Sequence, residues 1–139
     1  MYFTEIISDV GFTLTATSLF ELEILQTSSG SARFVLCDAS LTTIAYSAVL
    51  TNPASGLVST AVATFASGTS YNIVAGTRYF IGFLSNQNSP QVLGIASSAY
   101  TNQTPYPALR IDNLGSTTPP TTFTGGSESL LRLCIRIKG

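Results

Sequence analysis

Apolar and polar residues alternate with a period of two along most of this chain, and no other property restricts its fold so tightly. Phe12, Leu14 and Ala16 alternate with Thr13, Thr15 and Thr17, and Phe20, Leu22 and Ile24 with Glu21 and Glu23. Phe34 and Leu36 alternate with Arg33, Val35 and Cys37, and Ile44, Tyr46, Ala48 and Leu50 make a further set. Val58, Thr60, Val62 and Thr64 alternate with Leu57, Ala61, Ala63 and Phe65, so neither face there is clearly wet. Tyr79, Ile81 and Phe83 alternate with Arg78, Phe80 and Gly82, and Leu131, Leu133, Ile135 and Ile137 with Arg132, Cys134, Arg136 and Lys138. Successive side chains of a strand point to opposite faces, so each segment can bury one face on a core. No segment carries the i, i+3, i+4, i+7 apolar stripe of a surface helix, so almost no helix is expected.

Turn residues separate these segments. Thr27-Ser28-Ser29-Gly30-Ser31, Asp38-Ala39-Ser40, Asn52-Pro53-Ala54-Ser55-Gly56, Ala66-Ser67-Gly68-Thr69 and Ala75-Gly76-Thr77 are turn signals. Shorter strands are expected near 71–74, 91–96 and 108–111. Strands recurring every ~8–12 residues between turns predict an all-β fold, an antiparallel two-sheet β-sandwich of jelly-roll type with about eight strands. A chain of 139 residues holds one such domain, spanning 1–139. Residues 97–103 and 115–127 are rich in Ser, Thr, Asn, Gly and Pro and read as long ordered loops. The last strand is too apolar to be a free tail and must pair inside a sheet.

Composition narrows the function. Charged residues make up 9% of the chain against about a quarter in an average protein, and the net charge is −1. The 19 Thr and 18 Ser put hydroxyls where charges would otherwise stand. Without a basic cluster the chain lacks the footprint of a nucleic-acid binder. It has no run of about 20 apolar residues for a membrane-crossing helix, and its N-terminus does not read as a signal peptide. It has no His, which excludes His-based triads or dyads. No catalytic residue, metal site or cofactor is expected, and the chain reads as a non-enzyme.

The groups with chemical potential all have a structural explanation. Cys37 and Cys134 lie far apart and suit free, packed thiols; they join only if their strands are neighbours. Glu21 and Glu23 share a strand face, as paired carboxylates of a glycosidase would. They equally suit exposed ion pairs with Arg132, Arg136 or Lys138, which requires strand 20–25 to lie beside the last strand. Asp38 and Asp112-Asn113 offer oxygens to Ca²⁺ but lack clustered ligand spacing and suit turns. Tyr100, Asn102, Gln103, Tyr106, Asn113 and Phe123 combine aromatic faces with amides, the pairing that binds sugars, or else pin long loops to the sandwich. Asn86-Gln87-Asn88-Ser89-Pro90 is a second polar loop with the same two readings.

Apolar residues also fall on faces that a lone sandwich would leave wet: Val35, Val49, Phe65 and Phe80, with Ala61 and Ala63. Monomers rarely expose contiguous apolar patches beyond a few hundred Å², so these positions predict an assembly interface or a cover of loops. The expected assembly is a homo-oligomer, a trimer by preference, or attachment to a larger particle.

The stretch from Ala32 to Gly82 carries a resemblance. It reads Ala32-Arg33-Phe34-Val35-Leu36-Cys37-Asp38, then Ile44-Ala45-Tyr46-Ser47, then Gly56-Leu57-Val58, then Ala75-Gly76-Thr77-Arg78-Tyr79-Phe80-Ile81-Gly82. It is similar to β-sandwich modules of bacteriophage tail and head-fibre proteins and of bacterial surface carbohydrate-binding proteins. Short motifs carry the likeness across most of residues 10–137, and Ala75–Gly82 is the most specific. The resemblance implies a non-enzymatic structural subunit of a tailed-phage virion, of decoration, collar or fibre type. Its implied partners are copies of itself and other virion proteins, with no nucleic acid, membrane or cofactor. The implied location is the virion, after synthesis in the host cytoplasm, and a short chain with no signal peptide suits it. The alternative is an adhesin or receptor-binding tip that reads a host surface glycan with the 97–127 loops.

Overall fold

The computed structural model describes residues 1–26, 29–86, 91–96, 108–112, 117–129 and 131–139. Fifteen strands and no helix occur among them. These are β1 (Tyr2–Ile7), β2 (Phe12–Leu14), β3 (Leu19–Gln26), β4 (Ser31–Cys37), β5 (Thr43–Ser47), β6 (Leu50–Thr51), β7 (Gly56–Phe65), β8 (Tyr71–Ile73), β9 (Arg78–Ser85), β10 (Gln91–Val92), β11 (Gly94–Ala96), β12 (Ala108–Arg110), β13 (Ser127–Glu128), β14 (Leu131–Leu133) and β15 (Ile135–Lys138). The count exceeds the eight expected because some segments divide. Residues 131–138 break at Cys134, 91–96 break at Leu93, and several two- or three-residue pairings stand alone. The segment 2–7, rich in aromatic and β-branched residues, forms a strand that the alternation analysis passes over.

All ladders are antiparallel, and the principal sheet curls on itself into two layers. One layer has the order β5-β4-β9-β1-β12-β13. The other places β3 between β7 on one edge and β10 and β15, end to end, on the other. β7 belongs to both: its first half pairs with β3 and its second with β5, with a register shift at Tyr46/Ser47 that helps it turn the corner. Successive strands mostly cross between layers, as jelly-roll strands do: β1 in the first, β3 in the second, β4 in the first, then β9, β10, β12 and β15 in alternation.

The main core lies between the layers. Phe20, Leu22 and Ile24 of β3 face Phe34 and Leu36 of β4 and Tyr79, Ile81 and Phe83 of β9. Phe20 stacks on Phe34 at 5.7 Å, and Phe34 meets Phe83 edge-on at 5.4 Å. Each such side chain contributes about 1.5–3 kcal/mol by leaving water.

A second core covers the opposite face of the larger layer and corrects two expectations. Val35 and Phe80 are fully buried, with Phe3, Cys37 and Leu84. Leu41, Leu109, Ile111 and Phe123 lie over them. The covering chain is fastened by backbone: Thr43 N–H donates to the Thr121 carbonyl (2.8 Å) and Phe123 N–H to that of Leu41 (3.0 Å). β4 and β9 are therefore buried on both faces, which is why Phe34–Cys37 and Tyr79–Leu84 are nearly unbroken apolar runs. Phe65 is half-buried against the main core instead of facing out, while Val49 is exposed as expected.

Candidate functional site

With β4 and β9 covered on both sides, the outer face of the β7-β3-β15 layer is a broad run of strand side chains that meets solvent. Alternation along β3 sends Phe20, Leu22 and Ile24 inward and leaves Leu19, Glu21, Glu23 and Leu25 outside. β7 adds Leu57, Ser59 and Ala61 to that face, and β15 adds Arg136 and Lys138. Register then sets the neighbours: Arg136 lies opposite Glu21, Lys138 opposite Leu19, and Leu57 opposite Glu23.

The adjacency of strand 20–25 and the last strand required by the ion-pair reading is thus present. Arg136 Nε donates to Glu21 Oε2, and the Ser59 hydroxyl donates to Glu21 Oε1 at 3.2 Å. The Arg136 hydrogen bond is the main reason that the Glu21 carboxyl sits below the usual carboxylate range, against the opposing effect of burial. Glu21 is 7% exposed, which corrects the expectation of an exposed pair on its acidic side. Glu23 is half-buried, and its backbone carbonyl accepts from Leu93 N–H at 2.9 Å. Cys134 N–H in turn donates to the Leu93 carbonyl at 3.0 Å. Together Glu21, Glu23, Leu57, Leu93, Cys134, Ile135 and Arg136 line a shallow groove of about 380 Å³. Leu25, Leu57 and Leu93 stand around Glu23 at 53%, 58% and 40% exposure. Alternation marks Leu57 as standing on an apolar second face of its strand, but not Leu25 at the end of β3 or Leu93 between β10 and β11.

Most of the glycan-binding expectation lies outside the described residues: Tyr100, Asn102, Gln103, Tyr106 and Asn113 are among the residues left undescribed, as is Gln87–Pro90. Phe123 is described and corrects its assignment. It is 4% exposed and meets Phe3 edge-on at 4.9 Å, so it pins its loop to the second core and presents no ring to a sugar.

Several other charged groups have partners of their own. Glu5 takes a hydrogen bond from Arg78 Nε and lies 3.8 Å from Arg132, while Arg78 stacks on the Phe80 ring at 4.7 Å. Arg110 pairs with Asp112 at 2.8 Å. Asp38 Oδ1 accepts from the backbone N–H groups of Ser40 (2.8 Å) and Thr42 (2.9 Å), the turn role expected of it. Arg33 lies 5.0 Å from the centre of the Tyr46 ring with its Nε buried and unbonded, so ring attraction substitutes for a hydrogen bond.

Both cysteines are free. Cys37 lies in the second core, where burial pushes its thiol up to about 12, and Cys134 is exposed on the other layer. Comparisons of the chain with protein-family models, curated proteins and solved structures found no match.

Proposed function

We propose that this chain is a non-enzymatic structural subunit that associates with copies of itself through the outer face of the β7-β3-β15 layer, in the manner of the tailed-phage virion sandwiches its motifs resemble. One observation carries the reading: Leu57 and Leu93 stand exposed on one groove of this layer, and Leu25 is exposed on the same side of β3 as Glu21 and Glu23. Such a cluster on an otherwise paired sheet gains free energy by leaving water, at about 25 cal/mol per Å². The charge arrangement on the same face supports it. Glu21 and Arg136 already neutralise each other, so burying the face between copies leaves Glu23 and Lys138 as the charges to be accommodated there. Glu5 and Asp112 are likewise held by arginines, an arrangement suited to fixing strands and not to exchanging protons with a substrate.

Lysine at both Leu57 and Leu93 tests the reading. Both side chains are exposed, so the fold tolerates the change while the face becomes cationic. The double variant should elute as a folded 14.6 kDa monomer, with Val74→Lys, at the exposed end of the sandwich, keeping the wild-type mass. Equal masses for wild type and double variant would overturn the assignment of this face.

A further inference from the structure

The two layers are joined on one side by β7, which runs through both, and on the opposite side no ladder joins them among the described residues. There β1 faces the last strand. β12 pairs with β1 only over Tyr2–Thr4, so Glu5–Ile7 have β9 on one side and no ladder partner on the other among the described residues. β15 pairs with β3 on one edge and likewise has no described ladder partner on its second. The two edges touch where the Thr4 hydroxyl accepts from Leu133 N–H at 2.8 Å, beside the ion pair of Glu5 with Arg132 at 3.8 Å.

Past that point the edges flank an open slot of about 210 Å³. Six apolar side chains, among them Ile6, Phe12, Ile73 and Ile137, line it together with Ser8 and Arg136. Backbone parity shows which polar groups look into it. The Met1 carbonyl accepts from Ile111 N–H, so odd-numbered residues of β1 turn their N–H and C=O toward the β12 side, Glu5 and Ile7 among them. Cys134 N–H donates toward Leu93, so even-numbered residues of the last strand face β3, while Ile135 and Ile137 direct N–H and C=O at the slot. The path β15-β3-β7-β5-β4-β9-β1 consists of an even number of antiparallel pairings, so β1 and β15 run in the same direction.

We propose that this slot is a docking site for one extended polypeptide strand of an assembly partner, aliphatic at alternate residues and antiparallel to both β1 and β15. The proposal rests on the assembly reading above and specifies how a neighbour is held. A strand in that direction forms antiparallel hydrogen bonds with either edge, and its aliphatic side chains cover the isoleucines between the layers. Unpaired edges beside an apolar floor are templates for strand addition. The slot's flanking segments Glu5–Ile7 and Ile135–Ile137 are each about 10 Å long at ~3.4 Å per residue, which fits a short strand.

The test uses the full chain and a soluble heptapeptide of alternating Val and Thr with Lys at both ends. Amide NMR should show the peptide shifting Glu5, Ile7, Ile135 and Ile137, and N-methylation of the peptide backbone should weaken binding at least tenfold. Ile7→Asp, at an exposed rim position, should weaken it at least tenfold as well, and the Leu57/Leu93 double-lysine variant should bind like wild type. No binding at millimolar peptide, binding indifferent to N-methylation, or shifts located elsewhere would overturn the proposal. A monomeric chain that binds the peptide sinks the self-association reading alone, and an oligomer that ignores it sinks this inference alone.

Discussion

Gly82→Ala is expected to be among the most damaging single-methyl additions to this chain. Gly82 lies in β9, opposite Phe3 of β1 and Val35 of β4. A Cβ there would sit 2.5 Å and 2.7 Å from two carbons of the Phe3 ring and 2.9 Å from Val35 Cγ1. Non-bonded carbons rest at about 3.5–4.0 Å, so the ring would have to retreat by about 1 Å. It has nowhere to go: Phe3 is fully buried and Phe123 closes on it at 4.9 Å. Overpacking of this kind costs about 1–3 kcal/mol. Urea unfolding followed by tryptophan-free far-ultraviolet dichroism gives the free-energy difference, and Phe3→Leu supplies the control. In the Phe3→Leu background, adding Ala at Gly82 should cost less than in wild type, giving a coupling of about 0.5 kcal/mol or more between contacting sites. A Gly82→Ala chain within about 0.5 kcal/mol of wild type, the range of harmless surface changes, would refute the close packing of β1, β4 and β9.

Three further outcomes follow from the same structure. The Glu21 carboxyl is depressed in the folded chain, so its contribution to stability is complete above the ordinary carboxylate pKa of about 4.3 and is lost as pH falls through the depressed value. Glu21→Gln should therefore trail wild type in urea midpoint at neutral pH, with the gap closing in strong acid; a gap of undiminished size there would contradict the Arg136 pairing. Iodoacetamide should label the native chain at Cys134 alone, with Cys37 reacting only in denaturant, and non-reduced and reduced masses should agree; native labelling of Cys37 would place it outside the second core. Asp38→Ala strips two backbone N–H groups of their acceptor next to Leu41, which holds a positive φ of 62°, and should cost about 1–2 kcal/mol in unfolding free energy, with Asp38→Asn losing less.

The alternation of Phe20, Leu22 and Ile24 and of Ile135 and Ile137 is enough to anticipate inward faces and an all-β fold; the ion-pair reading of Glu21 required the last strand beside 20–25 but left Arg132, Arg136 and Lys138 open as its partner, and register selects Arg136. It failed where both faces of a strand are covered. Val35 and Phe80 occupy the expected wet positions of β4 and β9, and the long-range return of residues 120–123 onto Leu41–Thr43, together with Leu109 and Ile111, hides them. Alternation within one strand carries no trace of that cover, although the unbroken run Tyr79–Leu84 hints at it. β1 escapes the alternation pattern because Tyr2-Phe3-Thr4-Glu5-Ile6-Ile7 does not alternate cleanly; its aromatic and β-branched content is the signal that marks it as a strand. Phe123 was readable as an anchor or as a sugar platform, and burial against Phe3 selects the anchor. The slot between β1 and β15 could not be foreseen, since it depends on which edges remain unpaired after every other strand has found its place.

The account depends above all on the chain meeting copies of itself, and its mass in solution measures that directly. Light scattering coupled to gel filtration over a hundredfold dilution should return one fixed multiple of 14.6 kDa. A mass of 14.6 kDa at every concentration would contradict it.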